Sequence, residues 1–221
     1  MVLFLSAALA APLQIDLDGD GKPETVRYDA EAQRVHIGSH EVECDGDPCD
    51  VEAHDVSSSD KGREVEVCAH GPRDDTSCWL YTIRAGKLVK YTWSRDYGAP
   101  SLTTSGNGLV LVVDGYHQRL YERIEKYKVD GTALTLVRQP IYLAATPATL
   151  PIDQSFALLY APDSKEVVAN AKPKTTIAIL GEHGERDGWM LVRLSSGISG
   201  WAHVDALAAA SVQYMQVLGA G

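Results

Sequence analysis

From Leu13 to about Leu143 the chain runs in short segments in which apolar and polar residues alternate. Thr25-Val26-Arg27-Tyr28, Arg34-Val35-His36-Ile37, Cys49 to His54, Glu64 to Cys68, Cys78 to Arg84, Lys87 to Trp93 and Leu109 to Asp114 are each bounded by Gly, Asp or Pro. A period of two puts successive side chains on opposite faces, and the frequent turn residues send the chain back on itself, so the pattern predicts antiparallel β-structure. Ala85-Gly86 and Asp130-Gly131 mark hairpins. Leu120 to Val129 would also fit a helical face through Leu120, Ile124 and Tyr127, but the turn at Asp130-Gly131 and the returning run Thr132 to Val137 make it a strand.

The alternation stops at Leu143 to Pro151, where small residues and prolines follow no period. Residues 144–154 are therefore expected to be a linker between a domain at 13–143 and a second at 155–218. The second domain returns to strand-like runs: Phe156 to Tyr160, Thr175 to Glu182, Trp189 to Leu194 and Ser199 to His203.

Charge changes the picture. Of 30 acidic and 20 basic residues, 18 and 6 fall within residues 1–75, so the first part of the chain carries the whole formal charge of -10. Such a surface repels phosphate, which argues against nucleic acid and anionic membranes as partners. Residues 1–11, an apolar run with Ala8-x-Ala10, have the form of a signal peptide, and no apolar run is long enough for a transmembrane segment in the mature chain. A periplasmic or secreted location follows. The four cysteines suit it, falling into two local pairs, Cys44 with Cys49 and Cys68 with Cys78, that read as disulfides around turn-rich loops. The spacing of His36, His40 and Cys44 would align zinc ligands on a helix, but Val35 and Ile37 alternate as in a strand.

One stretch has chemistry dictated by spacing. Asp16, Asp18 and Asp20 alternate, with Gly19 and Gly21 free to adopt positive φ and Glu24 following. Three carboxylates, a carbonyl at Lys22 and the Glu24 carboxylate nearly complete an oxygen cage for Ca²⁺. An EF-hand would place an acid at the twelfth position, which is Arg27, so the loop is of another kind. Asp55 to Val65 repeats the layout with one extra residue before the acid, and Thr104 to Val110 is a third, worn copy. These loops resemble the FG-GAP or VCBS repeats of integrin α chains and bacterial surface proteins. The resemblance implies side-chain ligands at Asp16, Asp18, Asp20 and Glu24, a carbonyl ligand at Lys22, one structural calcium ion, and about three propeller-like blades, too few to close a ring.

Gly188-Trp189 and Gly200-Trp201, twelve residues apart and joined by a Gly-containing turn, resemble the bacterial SH3-type domain, a small β-barrel that often attaches exported proteins to peptidoglycan. On that resemblance Trp201 is expected in the core, and Tyr160, Trp189 and His183 are the expected ligand contacts. The fold class is thus all-β, partial propeller-like repeats followed by an SH3-like barrel. No nucleophile-elbow, zincin or cysteine-nucleophile signature occurs, and His54-Asp55 cannot act as a dyad because neighbours on a strand face opposite ways. The expectation is a non-catalytic exported envelope scaffold that binds a peptidoglycan fragment or an envelope protein. The alternative is a cell-wall hydrolase or hydrolase inhibitor with a site around His54, Asp55 and His70.

Overall fold

The computed structural model describes residues 11–46, 48–71, 76–93, 101–114 and 121–213. Residues 1–10 of the expected signal peptide lie outside them. The described residues are mostly strand, with one short helix. The chain forms two compact units, Met1–Val110 with Lys128–Thr135, and Leu111–Tyr127 with Leu136–Gly221.

In the first unit, β1 (Leu13–Ile15), β2 (Glu24–Asp29), β3 (Arg34–Ile37) and β4 (His40–Glu43) form an antiparallel meander. A second meander follows: β5 (Cys49–His54), β6 (Glu64–His70), β7 (Thr76–Arg84) and β8 (Lys87–Lys90). Alternation decides which residues meet. Ile15, Val26, Val35 and Ile37 from the first sheet and Val65, Val67, Tyr81 and Ile83 from the second share one core. Fully burying each such aliphatic side chain contributes about 1.5–3 kcal/mol. Cys44–Cys49 staples the end of β4 to the start of β5, and Cys68–Cys78 bridges directly opposed residues of β6 and β7. Both pairings are as the sequence predicts.

The β7–β8 hairpin turns at Ala85 and Gly86, with φ of 51° and 73°, the double positive φ of a tight two-residue turn. The unit also holds β9 (Thr92–Trp93), β10 (Leu102–Thr104), the start of β11 (Leu109–Asp114), the end of β12 (Arg123–Asp130) and most of β13 (Ala133–Leu136). Leu120 lies outside the described residues, but Arg123–Asp130 is a strand and Gly131 turns it into β13.

The second unit carries β14 (Ile141–Ile152), β15 (Phe156–Leu159), β16 (Val167–Ala171), β17 (Thr175–His183), β18 (Trp189–Leu194), β19 (Ser199–His203) and α1 (Val204–Ala210). Its strands pair in the order β14-β17-β18-β19-β15-β16. The core is built from Leu150, Ile152, Leu158, Ile177, Ile179, Val192, Ala202 and Leu207.

This arrangement corrects the expected linker. Residues 144–152 belong to β14, which pairs with β17 at 141–143 and 148–152, and only the turn to β15 is left of the 144–154 segment. The two prolines are accommodated differently. Pro147 sits in the register shift between Leu143 and Ala148, whereas Pro151 keeps its register with Thr176 of β17, and the β12 pairing on the other side of β14 is recorded only at Ala144.

Candidate functional site

Three places concentrate chemistry, two in the first unit and one in the second. The first is the Asp16–Glu24 loop. Asp16 accepts from Gly19 N–H at 2.8 Å and Gly21 N–H at 2.9 Å, Asp18 from Asp20 N–H at 3.0 Å, and Glu24 from Leu17 N–H at 2.8 Å. Gly19 and Gly21 take φ of 76° and 88°, which lets the backbone fold around its own side chains. Carboxylate oxygens of Asp16, Asp18 and Glu24 converge within 4.8 Å of one another. Asp20 stands apart from this group, accepting from Lys22 N–H at 2.7 Å and facing its ammonium at 3.5 Å.

The second loop repeats the anchoring contact. Glu64 accepts from Val56 N–H at 3.0 Å, as Glu24 does from Leu17. The loops also touch in sequence order: Arg63 N–H donates to the Asp16 carbonyl, and Gly108 N–H to the Val56 carbonyl. The acids, however, have given way. Ser57 and Ser59 hydroxyls bond each other at 2.7 Å, and the Arg63 guanidinium holds Asp55 at 2.6 Å.

Beyond the shared core, the far face of the β5–β8 sheet carries a polar cluster. Strand register places Glu52 opposite Glu66 and His54 opposite Glu64 on this face. Glu64, Glu66 and His54 are all buried. His54 Nε2 meets Glu66 at 2.5 Å, its Nδ1 lies 3.4 Å from the Thr104 hydroxyl, and Tyr91 donates to Glu64 at 2.7 Å. Burial works against a charge on His54, but Glu66, with Glu52 and Glu64 behind it, outweighs it and raises the imidazole above its ordinary value. Burial likewise raises Glu64, against the two donors that favour its charged form. His54 and Glu52 line an open cleft of about 800 Å³ with Gln14, Asp16, Arg63 and Thr104. Asp55 turns to Arg63, and His70 pairs separately with Asp50 at 2.8 Å, so His54, Asp55 and His70 do not assemble one site.

In the second unit β18 and β19 present their outward residues as an aromatic and imidazole strip. Trp189 pairs with His203, and Leu191 and Leu159 both pair with Trp201. The His183 and Trp201 rings lie 5.3 Å apart and those of Trp189 and His203 5.4 Å apart. His183 Nδ1 accepts from Glu185 and Arg186 N–H, leaving Nε2 as the ring's donor. Arg186 pairs with Asp163 in the turn after Tyr160, which is 67% exposed. The strip includes Trp201, which was expected in the core and is half-buried. Gly200 is the inward residue: a Cβ there would meet Val168 Cγ2 at 2.7 Å and Leu158 Cβ at 3.0 Å. A one-residue alternation then puts Trp201 outside.

Reading the alternation alone misses Glu64, Glu66 and His54 as buried groups. The available signal was Leu80, Thr82 and Cys78, which share the face of Glu64 and Glu66 and are not the residues of a solvated surface. Among the described residues no helix is long and apolar enough to cross a membrane. Compared with protein-family models, curated proteins and solved structures, the chain matches none.

Proposed function

We propose that this chain is an exported, non-catalytic envelope protein that binds a peptidoglycan fragment through the strip of His183, Trp189, Trp201 and His203, with the exposed Tyr160 as a further contact. The strip is the observation that carries the reading. Flat aromatic faces beside imidazole donors suit sugar rings and short wall peptides, which are recognised by stacking and desolvation with a few directed hydrogen bonds. The two disulfides belong with an oxidising compartment. In this reading the first unit is an FG-GAP-like spacer and the second an SH3-type module.

Calcium is part of the proposal. Asp16, Asp18 and Glu24 would be its side-chain ligands, the ion offsetting three converging negative charges and stiffening the loop that meets the next repeat. Its role is structural.

The test is co-sedimentation of the full chain with purified sacculi, comparing wild type with Trp201→Ala, Trp189→Ala and Tyr160→Ala at matched folding. Pelleting that falls in the tryptophan variants supports the strip. Wild-type protein that stays in the supernatant removes wall binding, and sacculi that lose turbidity in its presence turn the reading to a hydrolase.

A further inference from the structure

We propose that Glu52, His54 and Glu66 form a binding site for one borderline divalent transition-metal ion of the Zn²⁺ class, opening onto the cleft of the first unit. The three ligand atoms, one imidazole nitrogen and two carboxylate oxygens, lie within 4.8 Å of one another. Ions of this class sit about 2.0–2.2 Å from each ligand, and Glu52, the exposed member of the set, is free to adjust toward that distance.

Strand register supplies the physical reason for a cation. Glu52 and Glu66 are direct partners across β5 and β6. Like charges directly opposite destabilise a sheet, and Glu64, buried one alternation away on the same face, adds to the negative field. A single imidazolium answers only part of that charge. A divalent ion seated between the carboxylates answers both.

The geometry is also that of a held site. The His54 and Glu66 side chains are 7% and 5% exposed, so packing fixes their directions. Thr104 Oγ1 lies beside His54 Nδ1 and orients the ring from behind, the outer-shell contact that metal-bound histidines make with their second nitrogen. Glu52 is exposed and reaches in from the cleft side. Three protein ligands leave the fourth tetrahedral position facing the cleft, open to water or a small polar ligand. The nitrogen ligand selects against Ca²⁺ and Mg²⁺, which prefer an all-oxygen shell, so this site and the Asp16 loop separate by metal.

The experiment is calorimetric titration of Zn²⁺ into the full chain with Ca²⁺ held in excess, with Co²⁺ visible absorption as a second readout of nitrogen and oxygen ligation. One saturable equivalent is expected. It should be lost in His54→Ala, retained in Asp18→Ala, and weakened in Glu52→Ala by more than the about 10- to 100-fold that loss of an outer-shell partner costs. Glu52 is exposed, so its variant keeps the test valid even if His54→Ala fails to fold. Absence of saturable binding in wild type overturns the proposal, as does equal affinity in wild type and Glu52→Ala.

Discussion

Gly200 decides which way Trp201 faces, so Gly200→Ala tests the register on which the aromatic strip depends. The new Cβ would stand 2.7 Å from Val168 Cγ2, 3.0 Å from Leu158 Cβ and 3.0 Å from the Leu159 carbonyl. Val168 lies on the edge strand β16 and can yield. Leu158 is fully buried and the Leu159 carbonyl is backbone, so neither gives way freely. Overpacking of this kind costs about 1–3 kcal/mol, while replacing glycine by alanine restricts the unfolded chain and returns about 0.4–1 kcal/mol. The net loss is about 1–2 kcal/mol. For a chain of this length that lowers the thermal midpoint by about 2–8 °C. Circular dichroism melting reads it, with Ser199→Ala as the control: Ser199 is the exposed neighbour on the same strand, and its variant should stay within about 0.5 kcal/mol of wild type. A Gly200→Ala midpoint equal to that of Ser199→Ala would refute the inward placement of Gly200 and, with it, the outward placement of Trp201.

Calcium is expected to raise the midpoint of the wild type, by an amount equivalent to about 2.7 kcal/mol at a hundredfold excess over Kd. Asp18→Ala should lose most of that gain, and identical wild-type melts in calcium and chelator would dismiss the ion. The Cys44–Cys49 and Cys68–Cys78 bridges close loops with separations of 5 and 10 residues, for which chain entropy gives about 2 and 3 kcal/mol. Reduction should lower the urea midpoint accordingly, and non-reduced peptide maps should show those two pairs and no crossed ones. Burial pushes the Tyr81 phenol up to about 12, and burial together with the Glu64 carboxylate raises Tyr91 further. Because these folded-state values lie above the unfolded one of about 10, the stability they contribute is full below pH 10 and is lost as pH rises through 12. Alkaline absorbance titration should therefore show at least two late phenols that ionise with unfolding, and uniform titration near pH 10 would contradict the burial of Tyr81 and Tyr91.

Much of this fold was legible because alternation and turn chemistry are local. The runs at Thr25, Arg34, Glu64, Cys78 and Leu109 became strands, and Ala85-Gly86 became a two-residue turn, since each signal is complete within a few residues. What failed depended on partners distant in sequence. Pro147 and Pro151 argued against a strand, but a register shift and an edge with few partners let β14 keep them. Glu64 and Glu66 look like the wet face of an alternating strand, yet both are buried, because His54 meets Glu66 while Tyr91 and the Val56 N–H donate to Glu64. Of the proposed wall-binding residues, Tyr160, His183 and Trp189 were visible as residue types, whereas Trp201 needed the steric fact of Gly200.

The two related loops give the strongest physical argument for a cation in one and not the other. Both fold around a glutamate that accepts a backbone N–H at the loop's start, Leu17 in the first and Val56 in the second. In the second loop Arg63 lies 2.6 Å from Asp55, and serines stand at 57 and 59, where the first loop has acids. The second loop thus carries its own cation and fewer anions, so more of its charge is answered within the loop. The first gathers Asp16, Asp18 and Glu24 around donors that are backbone amides, which orient the carboxylates without cancelling their charge. If this difference governs occupancy, the second loop should be convertible. Ser57→Asp with Ser59→Asp and Arg63→Ala restores the anions and removes the internal cation, and it is expected to take the calcium stoichiometry from one to two by calorimetry. A folded triple variant that still binds a single equivalent would show that charge alone does not separate the loops, and the extra residue before Glu64 would then be the cause.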